Sequence, residues 1–381
     1  MMDSPFQYGK LAMGNTFVNR VKEKQELKSN LYSGINTMLI SPRRWGKSSL
    51  VKEAMNELTE QYSNVKVCFM DVFTIRSQEE FYQVFAREVI KATSSNWESW
   101  IANAKEYLKA LAPRISIGSD PMNDFSIGLE YRRIKENEQE LLNLPQKIAD
   151  AKGIKIIICI DEFQNLATLK DYSALEGNMR SVWQHQDKVS YCLYGSKRHM
   201  MIDIFNSSSK PFYRFGQIMF LQKIHKEEWV KFIVDAFERT GKTILQSNAE
   251  LIVVKVNAHS WYVQQLAHFV WVATQTEATE QIIEQAFSQI VNTNMPLYVS
   301  ECETLSTTQL NLLIAIANQE QTLTGSKIME KYQLGTPQNV TKNKTVLQRK
   351  DLLDKTPEGF SFLDPVFEYW FRKEYVENQN L

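Results

Sequence analysis

The stretch Thr37-Met-Leu-Ile-Ser-Pro-Arg-Arg-Trp-Gly-Lys-Ser48 places a short apolar run directly before a loop that ends in Gly-Lys-Ser. An amphipathic pattern of helical period follows over residues 48–62. The loop matches the pattern Gly-x-x-x-x-Gly-Lys-Ser/Thr at every fixed position except the first, where Ser41 replaces glycine. A strand, a loop and a helix in this order predict a phosphate-binding loop within an α/β fold.

Three residues of this loop have distinct expected roles. Gly46 lets the backbone approach phosphates, Lys47 supplies a positive charge to the β and γ oxygens, and Ser48 supplies a hydroxyl for Mg²⁺. Arg43 and Arg44 could contact phosphate or could hold the loop to a lid. We expect the nucleotide to contact the whole loop, namely Pro42, Arg43, Arg44, Trp45, Gly46, Lys47, Ser48 and Ser49.

A second apolar run, residues 156–160, ends in the carboxylates of Asp161 and Glu162. At the end of a buried strand, Asp161 could hold Mg²⁺ and Glu162 could polarise an attacking water. In isolation the pair is more typical of an acidic helix N-terminus that follows a strand. Together with the Lys47 loop it predicts a nucleoside triphosphate site.

A third apolar run, residues 189–194, leads into Gly195 and Ser196. In a parallel sheet, Ser196 would lie between the two motifs and could sense the γ-phosphate. The alternative is that Ser196 caps the helix that follows.

The composition is that of an ordinary globular protein. The 381 residues carry 44 basic and 44 acidic side chains, and 43% of them are hydrophobic. These values exclude a disordered chain and argue against a uniformly basic nucleic-acid surface. The four cysteines form no Cys-x-x-Cys pair, so we expect buried thiols in a reducing compartment; they are Cys68, Cys159, Cys192 and Cys302.

The sequence does not suggest a membrane protein. The N-terminus lacks the basic and apolar regions of a signal peptide. No apolar run reaches the length of roughly 18 residues that a membrane span needs. We therefore expect a cytoplasmic protein with no membrane partner.

Five apolar runs separated by helical patterns predict βαβ units and a parallel sheet, over 37–40, 65–70, 155–160, 189–194 and 217–221. An insertion over about 96–151 interrupts this order. Its features are a tryptophan-bearing helix at 97–111, two alternating runs at 114–117 and 125–129 that predict a hairpin with its turn at 118–124, and a charged helix from Glu136.

The second half of the chain predicts two further domains. From Lys226 the pattern is purely helical to Val291, and residues 292–296 resemble a linker. Beyond them we predict a winged helix with helices at 306–319, 324–332 and 337–353 and a wing at 357–363. The predicted domains are a phosphate-binding-loop core at 1–225, a helical lid at 226–296 and a winged-helix domain at 297–381.

The third helix of the predicted winged helix carries four cations, Lys342, Lys344, Arg349 and Lys350. Such a helix could enter the major groove of DNA. The alternative is a solvated face on a domain that only regulates nucleotide hydrolysis. We expect the nearby aromatic cluster to pack in a core or between domains; it comprises Phe367, Tyr369, Trp370 and Phe371.

The chain resembles the AAA+-related STAND-type ATPases of archaea and bacteria. The residues that carry the resemblance are Phe17-Val-Asn-Arg20 with Glu23, the loop from Ser41 to Leu50, Ile160-Asp-Glu-Phe-Gln164, Tyr194-Gly-Ser196, Pro211-Phe-Tyr-Arg214 and Asp364-Pro-Val-Phe367. This resemblance implies binding of ATP or ADP with Mg²⁺ and hydrolysis of ATP.

The resemblance also implies further site residues. Phe17, Val18 and Arg20 would lie along the adenine, although Asn19 replaces the glycine of the family pattern. His259 matches a family histidine that could approach the nucleotide, or it is an ordinary surface or cap residue. Arg214 is similar to an arginine near the γ-phosphate, in cis or from a neighbour, or it forms a structural ion pair.

Taken together, the sequence predicts an ATP-binding ATPase with slow, Mg²⁺-dependent hydrolysis. Its nucleotide state would set the position of the lid and the winged helix. The expected partners are ATP and either another protein or a second copy of the chain. The alternative function is that of a DNA-binding protein in which the nucleotide is mainly structural.

Overall fold

The computed structural model describes residues 3–116, 125–356 and 359–377. The chain forms two compact units. The α/β unit comprises Asn19–Gln222, and the helical unit comprises Met1–Val18 and Lys223–Leu381. This grouping differs from the predicted core at 1–225, because Phe6 and Val18 are buried in the hydrophobic core of the helical unit. The division of the chain into three domains stays a prediction.

The α/β unit is built on a five-stranded parallel sheet, as predicted. Its strands are β1 (Thr37–Ile40), β2 (Val65–Asp71), β3 (Lys155–Asp161), β4 (Val189–Gly195) and β5 (Gln217–Phe220). The order across the sheet is β2-β3-β4-β1-β5, and every neighbouring pair is parallel. Strands β1 and β4 are buried along their whole length, which explains why their sequences do not alternate.

The sheet topology brings the predicted motifs to one edge. Strand β4 lies between β1 and β3, so the segment after β4 lies between the segments that follow its two neighbours. Parallel strands end at the same edge of a sheet, where α/β proteins bind their ligands. The phosphate-binding loop, Ser196 and the acidic pair therefore emerge side by side.

Helices connect these strands. They are Val21–Tyr32, Lys47–Gln61, Gln78–Ala92, Trp97–Tyr107, Tyr131–Glu136, Glu138–Leu142, Leu144–Lys152, Tyr172–Trp183 and Arg198–Asn206, with 3₁₀ turns at Lys109–Leu111 and Phe163–Thr168. Side-chain caps fix two of the helix starts. Ser77 accepts a hydrogen bond from the backbone of Glu80, and Asn96 forms a capping box with Ser99.

The predicted insertion is present and packs into the core of the α/β unit. Strands Arg114–Ser116 and Ser126–Gly128 pair antiparallel, and the predicted turn at 118–124 lies outside the described residues. Phe125 is buried against Trp100, with ring centroids 5.2 Å apart. The prediction of one charged helix from Glu136 is wrong. Three short helices span residues 131–152 instead, and the last of them starts with a proline in its first turn.

The helical unit contains the predicted lid and winged-helix segments. Its helices are Lys226–Arg239, Gln246–Lys255, Ser260–Ala273, Glu280–Glu303, Thr307–Ala317, Ser326–Lys331, Pro337–Arg349 and Pro365–Arg372, with a 3₁₀ turn at Gly14–Thr16 and a π-helical turn at Lys373–Glu377. Strands Leu353–Thr356 and Gly359–Phe362 form the wing. The third helix therefore ends at Arg349 rather than at the predicted 353, because Leu353 pairs with Phe362.

Two further predictions for this unit need correction. The segment from Lys226 to Val291 is not purely helical, since Thr243–Ile244 pairs with Glu277–Ala278 in a short parallel ladder. Residues 292–296 are not a linker but part of the helix Glu280–Glu303. Pro296 removes one helical hydrogen bond there, and the exposed Asn292 carbonyl can bond to water instead.

One hydrophobic core joins the lid helices to the winged helix. The ring centroid of Tyr298, on the helix Glu280–Glu303, lies 5.2 Å from that of Phe367. Phe367, Trp370 and Phe371 are buried, which confirms that this aromatic cluster is core. No helix within the described residues is both long enough and apolar enough to span a membrane.

Candidate active site

The backbone of the phosphate-binding loop turns through left-handed conformations before the helix begins at Lys47. Arg44 has φ 64° and Gly46 has φ 87°. The second value explains the glycine, because residues with a Cβ atom rarely adopt this conformation. Ser41 is buried and donates a hydrogen bond from its hydroxyl to the carbonyl of Pro42, 3.1 Å away. Serine therefore fits at the position where the common pattern has glycine.

The structure brings the loop and the acidic strand end into direct contact. The hydroxyl of Ser48 donates a 2.7 Å hydrogen bond to Oδ2 of Asp161. Oδ1 of Asp161 accepts a 2.8 Å bond from the backbone N–H of Glu162. Burial raises the pKa of Asp161, although Lys47 and Ser48 act in the opposite direction. The hydroxyl and carboxylate predicted to share Mg²⁺ are therefore adjacent.

Lys47 is only 6% exposed. Burial lowers the pKa of its ammonium group, and the negative charges of Asp161 and Glu162 oppose that shift. The two carboxylates offset part of the cost of burying this cation, and Lys47 is the first residue of the helix that follows the loop, where phosphates bind. The ammonium group is therefore well placed to receive phosphate oxygens.

Glu162 has a left-handed backbone, with φ 52°, which is unusual for a residue with a side chain. Its Oε2 accepts hydrogen bonds from the Ser196 hydroxyl at 2.9 Å and from the side-chain amide of Gln164. Burial alone would raise the pKa of Glu162, but these bonds and the charge of Lys47 outweigh it and lower the pKa. The carboxylate is thus held in its ionised form.

Ser196 does not cap a helix, so that alternative is wrong. The next helix begins at Arg198, its cap position is Lys197, and no side chain caps it. The Ser196 hydroxyl instead bonds to Glu162 and accepts a 3.3 Å hydrogen bond from Nε of Arg43. Arg43 thereby connects the phosphate-binding loop to the end of strand β4.

Arg20 is buried within the α/β unit, at 3% exposure. Its guanidinium donates 3.0 Å hydrogen bonds to the carbonyls of Trp45 and Gln222 and forms a 3.1 Å ion pair with Glu23. Trp45 directly precedes Gly46 in the phosphate-binding loop. Arg20 therefore holds the loop backbone in place, a role that the sequence analysis missed.

We predict that Arg20→Ala destabilises the α/β unit by roughly 1–3 kcal/mol, because the buried guanidinium and its charge-assisted hydrogen bonds to the carbonyls of Trp45 and Gln222 are lost. The measurement is thermal unfolding followed by circular dichroism. Arg132→Ala is the matched control, since the Arg132 side chain is 89% exposed in its ion pair with Glu136. This control should change stability by less than about 0.5 kcal/mol. Equal melting temperatures for Arg20→Ala and the control would contradict a structural role for Arg20.

The remaining loop residues and Arg214 lie in the same unit. Pro42 and Ser49 are buried, whereas Arg44 is exposed. Arg214 is exposed, has φ 54° and places its guanidinium 5.2 Å from the ring centre of Tyr213. The ion pairs of the described residues do not include Arg214, which argues against the structural alternative.

Phe17, Val18 and His259 belong to the helical unit. Val18 is buried in its core, and Phe17 is half-buried. His259 occupies the cap position of the helix Ser260–Ala273 but is only 5% exposed, so it is not a surface residue. Its ring lies 5.1 Å from that of Tyr262.

The donor set around Ser48 suits a hard cation that keeps part of its water shell. A hydroxyl and one carboxylate, together with substrate phosphates, are typical ligands of Mg²⁺. No group of three or more His, Cys, Asp or Glu side chains with metal-binding geometry occurs among the described residues. Within the described residues, Ser48 and Asp161 therefore supply two of the ligands of a cation, and the phosphates of a bound nucleotide would supply others.

Solved structures with the same fold include a Walker-type ATPase and two ORC proteins. The Walker-type ATPase PABY2304 of Pyrococcus abyssi superposes with a TM-score of 0.67 at 16% identity, over 95% of this chain and 97% of that one. The Aeropyrum pernix ORC2 protein, in ADPNP-ADP complexes, superposes with a TM-score of 0.59 at 13% identity, over 99% of this chain and 100% of that one. The Aeropyrum pernix ORC1 protein in complex with DNA superposes with a TM-score of 0.50 at 13% identity, over 96% of this chain and 95% of that one.

Sequence comparison identifies the family. No curated protein sequence matches the chain. The family model described as "probable winged helix domain" matches residues 296–373. With the parallel sheet and the ATPase neighbours, this match confirms the predicted α/β fold class with a winged helix. The model described as "ATPase domain predominantly from Archaea" matches residues 17–266, more than half of the chain, and the chain belongs to that ATPase family.

Proposed function

We propose that the chain binds ATP or ADP with Mg²⁺, hydrolyses ATP and acts as a nucleotide-controlled switch of the STAND type. The observation that carries this proposal is the pairing of the Ser48 hydroxyl with the Asp161 carboxylate, 2.7 Å apart, beside the buried Lys47. The solved ORC2 structure with ADPNP and ADP supports nucleotide as the ligand.

The residues of the loop would bind the nucleotide phosphates. The backbone N–H groups at the start of the helix Lys47–Gln61 attract anions, and Lys47 adds a full positive charge. The proposed contacts extend to Pro42, Arg43, Arg44, Trp45, Gly46 and Ser49. The family resemblance adds Phe17, Val18 and His259 as further contacts and Arg214 as a cation for the γ-phosphate of its own or a neighbouring chain.

Hydrolysis would use Glu162 as the base. A water oxygen forms a bond to the γ-phosphorus, and Glu162 accepts a proton from that water. The bond from the phosphorus to the β–γ bridging oxygen breaks, and its electron pair leaves with ADP. Ser196, whose hydroxyl donates a 2.9 Å hydrogen bond to Glu162, would sense the γ-phosphate at this site. The products are ADP and inorganic phosphate.

Mg²⁺ would be held by Ser48 and Asp161. When bound, it neutralises charge on the β and γ phosphate oxygens. The bond between Ser48 and Asp161 positions both oxygen donors before any ligand arrives. This arrangement reduces the rearrangement that binding requires.

A chain of contacts within the helical unit supports the switch. The ring of His259 lies beside Tyr262, whose hydroxyl donates a hydrogen bond to Asp364. Asp364 caps the last helix of the winged helix by accepting bonds from the backbones of Val366 and Phe367. A displacement of the His259 ring would therefore be transmitted to the winged helix through Tyr262.

We predict that ATP with Mg²⁺, compared with ADP, changes hydrogen exchange in residues 292–300 and 364–372. Both segments adjoin this contact chain, since the Tyr298 hydroxyl lies 3.4 Å from that of Tyr262. A nucleotide shifts an equilibrium only through contacts that differ between its states. Tyr262→Phe should reduce the difference and leave ATP affinity within ~3-fold.

Tyr332→Phe is the matched control for this experiment, because among the described residues that hydroxyl donates its hydrogen bond to Glu320, away from this contact chain. It should leave the exchange difference unchanged. Identical exchange profiles of the wild type in ATP and ADP would end the switch proposal, whereas the ATPase proposal would stand.

A second candidate function is DNA binding by the winged helix, with a mainly structural nucleotide. Lys342 and Arg349 are exposed on the helix Pro337–Arg349, which favours it. Lys350 is instead paired with Glu301 at 3.3 Å, and Lys344 lies over the ring of Phe360. Duplex binding whose affinity falls steeply with salt would support this function.

A further inference from the structure

The side chain of Gln164 is fully buried, at 0% exposure, and its amide is only half satisfied. Its Nε2 donates a hydrogen bond to Oε2 of Glu162. Its Oε1 is buried and has no hydrogen-bond partner in the described part of the chain. Burying an amide oxygen without a donor lowers stability, and an apolar side chain of equal length would avoid that cost. The unpaired oxygen thus offsets part of the stability that the hydrogen bond to Glu162 contributes, and the specific effect of the glutamine is on that carboxylate.

The surroundings fix which way the amide faces. Turning it over would place its oxygen against the carboxylate of Glu162, two acceptors in contact. The space that Oε1 occupies exists because residue 195 is glycine, since a Cβ atom there would lie 1.8 Å from that oxygen. Gly195 does not have a positive φ, so this close approach, and not the backbone conformation, requires glycine.

The two oxygens of Glu162 differ sharply in their contacts. Oε2 accepts hydrogen bonds from Gln164, from the Ser196 hydroxyl at 2.9 Å and from the Ser196 backbone at 3.4 Å. Oε1 of Glu162 accepts no hydrogen bond from the described residues. The carboxylate is therefore anchored through one oxygen only, on a backbone that is itself in the left-handed region.

We propose that Gln164 is a positioning residue for ATP hydrolysis. Its amide, with Ser196, holds Oε2 of Glu162 so that Oε1 stays available to accept the proton of the attacking water. This role rests on the proposed ATPase function and assigns it one more residue. Gln164 acts through Glu162 and makes no contact with the reacting atoms.

The test is a comparison of Gln164→Met, Glu162→Gln and the double variant in the full-length chain. Methionine keeps the length and removes the donor. We expect Gln164→Met to lower kcat at least ~10-fold and to leave the Kd for ATP within ~3-fold. Its melting temperature should change little, because the lost hydrogen bond to Glu162 and the removed unpaired oxygen act in opposite directions. In the Glu162→Gln background the same change should alter kcat by less than ~2-fold, because the group it positions is already absent.

Gln78→Met is the matched control, since Gln78 is also buried and its amide donates to the carbonyls of Lys170 and Asp171. It should lower the melting temperature and leave kcat unchanged. Wild-type kcat in Gln164→Met would overturn the proposal while leaving the ATPase function intact. An equal loss of kcat in the Glu162→Gln background would also overturn it. A wild type that does not hydrolyse ATP would remove the ATPase function and this role together.

Discussion

Lys47→Ala should weaken ATP binding at least ~10-fold, which corresponds to about 1.4 kcal/mol or more. The ammonium group is the buried cation of the phosphate-binding loop, whereas the other two cations of the loop, Arg43 and Arg44, are exposed. Isothermal titration calorimetry with ATP and Mg²⁺ measures the effect. Lys47→Met, which keeps most of the apolar stem, should show the same loss and separates the missing charge from a packing defect.

Lys52→Ala is the matched control for Lys47. Lys52 belongs to the same helix, but its ammonium lies 3.8 Å from the ring centre of Phe69 and not in the loop. ATP affinity should stay at the wild-type level in this control. Unchanged ATP affinity in a folded Lys47→Ala variant would contradict the assignment of this segment as a phosphate-binding loop.

Glu162→Gln should slow hydrolysis by about 10²-fold or more while ATP binding persists, because glutamine keeps the shape and loses the base. The amide oxygen can still accept the hydrogen bond from Ser196, so the local structure should survive. Steady-state phosphate release, measured at saturating ATP, gives the rate.

The control for Glu162 is Glu60→Gln, which changes an exposed carboxylate on the helix Lys47–Gln61. It should hydrolyse ATP at the wild-type rate. If Glu162→Gln also hydrolyses ATP at that rate, another group must accept the proton of the attacking water.

Much of the α/β unit follows from local sequence patterns. The strands β1, β3 and β4 are continuous apolar runs because the sheet buries them, and this signal is visible without any tertiary information. The contact of Ser48 with Asp161 also follows once the sheet is known to be parallel, since both residues follow strands that end at one edge.

The roles of Arg20 and Gln164 depend on contacts that no local pattern encodes. Arg20 meets the carbonyl of Gln222, which lies 202 positions away in the chain. The resemblance implies a place along the adenine for this arginine, which stays a prediction, and does not indicate that its guanidinium binds two backbone carbonyls of the α/β unit. Gln164 offered one signal, its place two residues after Glu162 in the motif Ile160-Asp-Glu-Phe-Gln164, but only the structure shows which carboxylate oxygen it holds.

The errors in the helical unit have a similar origin. Residues 292–296 contain a proline and polar residues, which are typical of a linker, yet they continue a helix whose buried side includes Val291 and Tyr298. Tertiary burial on that side outweighs the local preference. The N-terminal segment likewise joins the helical unit because Phe6 finds its apolar partners there, more than 200 residues along the chain.

The central claim is that the loop, Asp161 and Glu162 form a working ATPase site. The most direct test is the release of inorganic phosphate from ATP by the purified wild-type chain, with Mg²⁺ and then with excess chelator. The account predicts slow, repeated turnover with Mg²⁺, its loss on chelation, and less than ~1% of the wild-type rate in Glu162→Gln. Phosphate release that is independent of Mg²⁺, or equal in the wild type and Glu162→Gln, would contradict it.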